Sequence, residues 1–278
     1  MPLLLATATA ALVGFNVLLA RIGLAHISAL HGATLVTAIN VLLFWPLVWA
    51  SGELAEGLGK PVLWFVAGGT FVPTATRVLY YTGLQRVGAP RTAAVYAVYP
   101  LFAAALAITL LGERPTSLVL LGTVSVVCGV ALIPLEKATG RWRRRDLAFP
   151  LLSAFSGAAG YTCMKQGLLL LPRPLLAAAV STSTSLFLTS ILAGALEGLP
   201  ARRPQRGALL CFALSGTINT LGYVTAFTAL AWGDQTVVIP IMSASPLFVA
   251  AMSPLFRGRT ERASRAVWAG SLLVVAGA

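Results

Sequence analysis

The chain has 278 residues, of which 58% are apolar and only 10% are charged, and its mean hydropathy is +0.86. Soluble domains carry about 25% charged and about 45–50% apolar residues, so this composition excludes an ordinary soluble protein. The net charge of +12 needs no nucleic-acid partner, because loops that orient a membrane protein are the commoner place for arginine.

Charges, glycines and prolines divide the chain into ten apolar segments, which we predict to be transmembrane helices because membrane backbone must satisfy its own hydrogen bonds. They cover about residues 2–20, 29–50, 61–83, 91–112, 116–134, 147–168, 175–196, 207–231, 236–256 and 265–278. The predicted fold is an all-α integral membrane protein with five helices at 1–134, a basic linker at 135–146, and five helices at 147–278. The final segment is short, so it is either a shallow, tilted helix or a span cut short.

The two halves carry related sequences. Residues 100–104 (PLFAA) match residues 246–250 (PLFVA), and the same offset aligns Thr82 with Thr228 and Gly112 with Gly258. Repeats with an odd number of spans must point in opposite directions across the bilayer. Such inverted repeats frame a mid-membrane site in many secondary transporters.

The positive charges predict an orientation. Most of the 20 Lys and Arg residues fall in alternate loops, and the largest group lies in the central linker. The opposite loops hold only Lys60, Arg114, Lys165 and Arg173. The positive-inside rule then places both termini outside the cytoplasm.

A family resemblance rests on Leu79-Tyr80-Tyr81, on residues 93–113 (AAVYAVYPLFAAALAITLLGE), and on Gly122 and Gly129. This string resembles the end of an EamA domain of the drug/metabolite transporter superfamily, and residues 223–278 resemble a degenerate second copy. The resemblance implies a ten-helix transporter similar to bacterial exporters of amino acids and other metabolites, multi-pass in the cytoplasmic (inner) membrane. It also implies cytoplasmic termini, opposite to the charge distribution.

The acidic residues indicate what is not transported. All eight lie in loops or at helix ends: Glu53, Glu56, Glu113, Glu136, Asp146, Glu197, Asp234 and Glu261. An exporter of lipophilic cations needs a carboxylate within the membrane, whereas the deep ionisable residue here is Arg77. Neutral, zwitterionic or anionic substrates therefore fit better than cations. Arg77 either faces a cavity or extends its long stem to the headgroups.

Polar and aromatic residues at mid-span predict the cavity. Pro73 lies one turn before Arg77, and the corresponding residues of the second half are Asn219 and Tyr223. Mid-span prolines commonly mark kinks beside cavities. The tyrosines could instead belong to an interfacial belt, and each polar residue could join helices. The predicted binding residues are Asn16, Asn40, Arg77, Tyr81, Tyr96, Tyr99, Asn219, Tyr223, Ser243 and Ser245, with hinges at Pro73, Pro100 and Pro246.

Motifs for other chemistry are missing from the sequence. No glycine-rich loop precedes a Lys-Ser or Lys-Thr pair, which disfavours ATP-driven pumping. No catalytic set, metal-ligand set or cofactor motif is present, so we expect no enzyme activity, no metal and no cofactor. Lys165, near a span end, is expected to reach toward the headgroups.

We therefore predict a secondary transporter that exports small neutral or zwitterionic metabolites, amino acids being the first class, by alternating access between the repeats. The alternative is a flippase for a lipid or a lipid-linked sugar, in which Arg77 would bind a phosphate. The expected partners are a small-molecule substrate and the lipid bilayer, without nucleic acid. The sequence leaves the oligomeric state open and is compatible with a monomer.

Overall fold

The computed structural model describes residues 1–54, 59–88, 92, 95–96, 98–131, 143–198 and 206–252, and all regular structure in them is helical. The helices are α1 (Pro2–Gly23), α2 (Ala29–Ser51), α3 (Val62–Gly69), α4 (Thr76–Val87), α5 (Tyr99–Leu106), α6 (Ser117–Ala131), α7 (Ala148–Leu170), α8 (Pro174–Leu196), α9 (Arg206–Trp232), α10 (Gln235–Met242) and α11 (Ser245–Met252). A π-helical segment joins α3 to α4 (Thr70–Ala75), another extends α5 (Ala107–Leu111), and a 3-10 turn leads into α7 (Arg144–Leu147).

The helices follow the predicted spans. Six segments of the described chain are long and apolar enough to cross a membrane, which confirms the all-α membrane class. They are Pro2–Ala20, Ala29–Ser51, Val62–Val87, Arg144–Leu170, Pro174–Leu196 and Arg206–Trp232. The predicted fourth, fifth and ninth spans are mainly helical where they are described, with turns at Val98 and at Ser243 and Ala244. The tenth, at 265–278, lies outside the described residues, as does most of the linker, so the structure does not show ten helices.

The packing interleaves the two halves of the chain. Helix α1 packs against α9, α10 and α11, and in the same way α7 packs against α3, α4 and α5. Thus the first span of each half lies against the third and fourth spans of the other half, while α2 lies along α8. The largest apolar core draws on both halves, with Phe44, Phe65, Met164 and Phe227 fully enclosed. Any site near the centre is therefore built from both halves.

The third span is broken at its middle. Val72 has extended backbone angles (φ −122°, ψ 116°), and the bond from Val72 to Pro73 is cis. Two neighbouring helices approach this break closely, because a Cβ on Gly160 would lie 2.8 Å from the Val72 nitrogen and one on Gly69 would lie 2.5 Å from the Ser181 carbonyl oxygen. Small residues permit such backbone contacts between membrane helices.

The fourth and ninth spans also change direction at corresponding places. Val98 lies in a turn just before α5, and Ser243 and Ala244 form the turn between α10 and α11. Pro100 and Pro246 are the second residues of α5 and α11. Proline is tolerated in a first helical turn, where no intrahelical partner awaits its missing N–H. The two prolines therefore mark helix starts after a break, rather than kinks inside continuous helices.

Acidic side chains hold the ends of α2 and α8 together. The Glu53 carboxylate, beyond the end of α2, accepts a 2.7 Å hydrogen bond from the Leu176 amide in the first turn of α8. At the other ends, Glu197 after α8 accepts from the hydroxyl of Ser28, the N-cap of α2, and lies 2.7 Å from the His31 ring. The two helices therefore run antiparallel, with an acidic group near the N-terminus of each, where the helix dipole favours negative charge.

Replacing Glu53 with Ala removes the acceptor for the Leu176 amide, and we expect the free energy of unfolding to fall by about 1 kcal/mol. Thermal unfolding of the purified protein in detergent measures the change. Glu53→Gln keeps an oxygen acceptor without the charge and should fall between the wild type and Glu53→Ala. Equal melting temperatures for all three proteins would contradict this role of Glu53.

Candidate functional site

A cavity of about 170 Å³ lies among α1, the break in the third span, α7, α9 and the turn between α10 and α11. By the same measure one water molecule needs about 10–15 Å³, so the space accommodates a small metabolite. Helices of both halves form its walls. Its position at two interrupted spans is the place where membrane transporters commonly bind substrates.

Arg77 extends into this cavity from the first turn of α4. Its side chain is buried, with 7% of its surface exposed. One terminal nitrogen donates to Thr37 Oγ1 at 2.7 Å, and the other donates to Asn219 Oδ1 at 2.6 Å and to the Tyr223 hydroxyl at 3.1 Å. The guanidinium is therefore held inside the bundle, between α2 and α9, and does not reach the headgroups.

The bond from Arg77 to Tyr223 joins corresponding positions of the two halves. The residues are 146 positions apart, which is the offset that aligns the PLFAA and PLFVA strings. The carbon at the centre of the guanidinium also lies 5.9 Å from the centroid of the Tyr223 ring, within the range of a cation–π contact. Arg77 therefore joins the two halves of the chain at positions that correspond in sequence.

Aromatic rings form much of the remaining wall. Tyr96 stacks on Tyr99 with ring centroids 5.1 Å apart, and Tyr80 meets the Tyr96 ring edge-on at 5.1 Å. On the α9 side, Tyr223 stacks on Phe227 at 5.3 Å. These spacings are typical of favourable aromatic pairs. The cavity thus combines one cationic group with an extended aromatic surface.

The structure brings most of the predicted binding residues together. The cavity is lined by Asn16, Pro73, Arg77, Tyr81, Tyr96, Tyr99, Asn219, Tyr223, Ser243 and Ser245. Asn40 does not line it, because its amide nitrogen donates to the Gly216 carbonyl at 2.8 Å and to Thr220 at 2.9 Å and so joins α2 to α9. Pro100 is not among the lining residues, and the side chain of Pro246 lies outside the described part of the structure.

Several lining residues were not among the predicted ones, including Tyr80, Tyr161, Thr9 and Thr76. A signal for three of them was present in the sequence. Thr76 and Tyr80 fall between Pro73 and Leu84 at steps of three or four residues, which places all four on one helical face. The same spacing argument finds Thr9, which lies seven residues before Asn16 on one face of α1. It does not find Tyr161, because no other predicted site residue lies on α7.

The expectation for Lys165 was wrong. Its side chain is buried rather than extended to the headgroups, and its Nζ donates to the carbonyl oxygens of Leu230 and Gly233, both at 2.8 Å. These carbonyls belong to the last turn of α9 and the residue after it, where the helix dipole favours a cation. Lys165 therefore caps α9 from α7.

Replacing Lys165 with Met keeps a similar length but leaves the two carbonyls without their donor, so we expect a loss of about 2 kcal/mol in unfolding free energy. The exposed Lys60 provides a matched control, since Lys60→Met should change stability by less than about 0.5 kcal/mol. Thermal unfolding in detergent compares the two variants. Equal, small effects would indicate that Lys165 does not cap α9.

Comparisons with known proteins bear on the whole chain. The model of the EamA-like transporter family matches residues 1–135 and again residues 146–278. No curated protein matches the chain. A crystal structure of another protein superposes with a TM-score of 0.77 at 17% identity, covering 98% of this chain and 93% of the other, and this likeness shows the fold alone. The family match extends over nearly the full length, so the chain belongs to the EamA-like transporter family of the drug/metabolite transporter superfamily and is a multi-pass membrane transporter.

Proposed function

We propose that this transporter exports small neutral or zwitterionic metabolites, with amino acids as the first class, across a bacterial inner membrane. In this proposal residues 1–134 and 147–278 are two inverted repeats, and substrate binds at the cavity between them. Alternating access follows if the repeats rock about that cavity.

The observation that carries the proposal is the cavity itself, which contains Arg77 at mid-span between two interrupted helices. Ionisable groups within a membrane are costly and usually functional. The guanidinium is oriented by Thr37, Asn219 and Tyr223 rather than pointing to the headgroups. This arrangement suits a polar ligand at the bilayer midplane.

The residues that line the cavity also argue against a cationic substrate. Among the described residues of the wall, Arg77 is charged and neither Asp nor Glu is present. A cationic substrate would meet a like charge at close range without a compensating carboxylate, which is unfavourable in a low-dielectric site. The family resemblance suggests amino acids as substrates. They also fit the limit on charge, because they are small, polar and uncharged overall.

The test is counterflow exchange in proteoliposomes with a panel of amino acids, comparing wild type with Arg77→Gln. We expect saturable exchange by wild type and a loss of at least about ten-fold in the variant, because truncating a charged hydrogen-bonding group costs about 1.5–3 kcal/mol. Arg86→Gln is the matched control. It removes the same charge from α4, but the Arg86 side chain is 56% exposed and its guanidinium lies 3.6 Å from the Asp146 carboxylate. Exposed ion pairs of this kind contribute little to stability.

Two results would contradict the proposal. If Arg77→Gln exchanges amino acids as fast as wild type, the cavity around Arg77 is not the substrate site. Absence of exchange for every amino acid, with monodisperse protein in the liposomes, would reject the substrate class. Measured flipping of a fluorescent phospholipid in the same liposomes would then identify lipid transport.

A further inference from the structure

The cavity has a positive charge that its described walls do not neutralise. The three bonds of the Arg77 guanidinium go to a threonine hydroxyl, an asparagine carbonyl and a tyrosine hydroxyl, which are all neutral acceptors. The carboxylates of Glu197 and Asp146, which contact the His31 ring and the Arg86 guanidinium, lie at helix ends and not beside Arg77. A buried cation without a counter-charge is costly, and neutral hydrogen bonds compensate for only part of that cost.

The guanidinium also retains donors for a ligand. Arginine has five N–H groups, and the three bonds to Thr37, Asn219 and Tyr223 use three of them. Ionised acceptors such as carboxylate oxygens bind arginine more strongly than neutral ones, through charge-assisted hydrogen bonds. A ligand carboxylate at this position would supply both the missing charge and the missing acceptors.

The remaining wall suits an apolar ring. Tyr96 and Tyr161 both line the space, with Tyr96 continuing the ring stack onto Tyr99, while Val13 and Val17 of α1 add aliphatic surface. Ligand sites usually combine such apolar walls with a few polar groups that fix orientation. An aromatic ring could stack here at low cost in conformational freedom, because it is rigid.

An ammonium group finds no carboxylate partner in the described wall. In an α-amino acid the ammonium lies one carbon from the carboxylate, so a carboxylate bound to Arg77 places a second cation close to the guanidinium. No carboxylate among the described lining residues could offset that repulsion. The other described groups that could receive the ammonium are neutral, namely hydroxyl oxygens such as that of Ser243 and the faces of the tyrosine rings, and they offset a second buried cation only in part.

We infer that the preferred ligand of this cavity is an aromatic monocarboxylate without an ammonium group, whose carboxylate binds Arg77 and whose ring lies on the tyrosines. The inference rests on the proposed transport function and changes its substrate class, because this ligand is an anion rather than a neutral or zwitterionic metabolite. An amino acid with the same side chain binds more weakly, and the corresponding amine binds weakest of the three.

Three matched ligands test this order: 3-phenylpropionate, L-phenylalanine and 2-phenylethylamine. They share a phenyl ring and a two-carbon chain and differ in which charged groups they carry. Because a protonated carboxylic acid crosses lipid unaided, binding is measured by calorimetry on the purified protein in detergent. We expect a dissociation constant for 3-phenylpropionate at least about ten-fold below that of phenylalanine, and no measurable binding of the amine.

The variants add a second readout. Arg77→Gln should abolish the preference for 3-phenylpropionate, Arg77→Lys should keep the order with weaker binding, and Arg86→Gln should match wild type. The order among the ligands is measured on wild type, so a variant that fails to fold does not affect it.

Phenylalanine binding as tightly as the acid would overturn the inference, while amino acid exchange in the liposomes would leave the proposed function intact. Binding of none of the three, or of the amine alone, would also overturn it.

Discussion

The hydrogen bonds of one buried guanidinium connect the parts of this fold that must be aligned for a central site to exist. Arg77 extends from α4, next to the break at Val72, and reaches Thr37 on α2 and both Asn219 and Tyr223 on α9. Three spans from two halves of the chain therefore depend on the position of a single charged group. A charged group at this depth needs polar partners, and the neighbouring helices supply three acceptors.

The interruptions in the helices and the caps at their ends serve different purposes. Breaks at Val72 and between Met242 and Ser245 give the central spans short helices whose ends meet at the cavity. Far from the centre, carboxylates of Glu53 and Glu113 bind backbone amides at the first turns of α8 and α10. The acidic residues thus stabilise helix ends and leave the described centre with a net positive charge. Charge separation of this kind follows from the cost of burying carboxylates in lipid.

Apolar length predicted the helices well, because backbone in a membrane has little choice but helix. Most of the site was also predictable, since Arg77 and Tyr223 occupy corresponding places in two related sequences. Asn40 and Lys165 show the limit of such reasoning. A polar residue at mid-span can face a cavity or a neighbouring helix, and the rotation of each helix about its axis decides which. Asn40 is turned toward Gly216, and Lys165 is covered by the end of α9. Neither arrangement has a local sequence pattern, because both depend on contacts between distant segments.

The central claim is that the Arg77 guanidinium binds the anionic group of the transported molecule inside this cavity. The most direct measurement is a crystal structure of the protein with 3-(4-iodophenyl)propionate bound, in which anomalous scattering locates the iodine independently of the surrounding density. We expect a carboxylate oxygen at about 3 Å from a guanidinium nitrogen of Arg77, with the iodinated ring against Tyr96 and Tyr161. A ligand bound outside the cavity, or bound inside it with the carboxylate directed away from Arg77, would contradict the account.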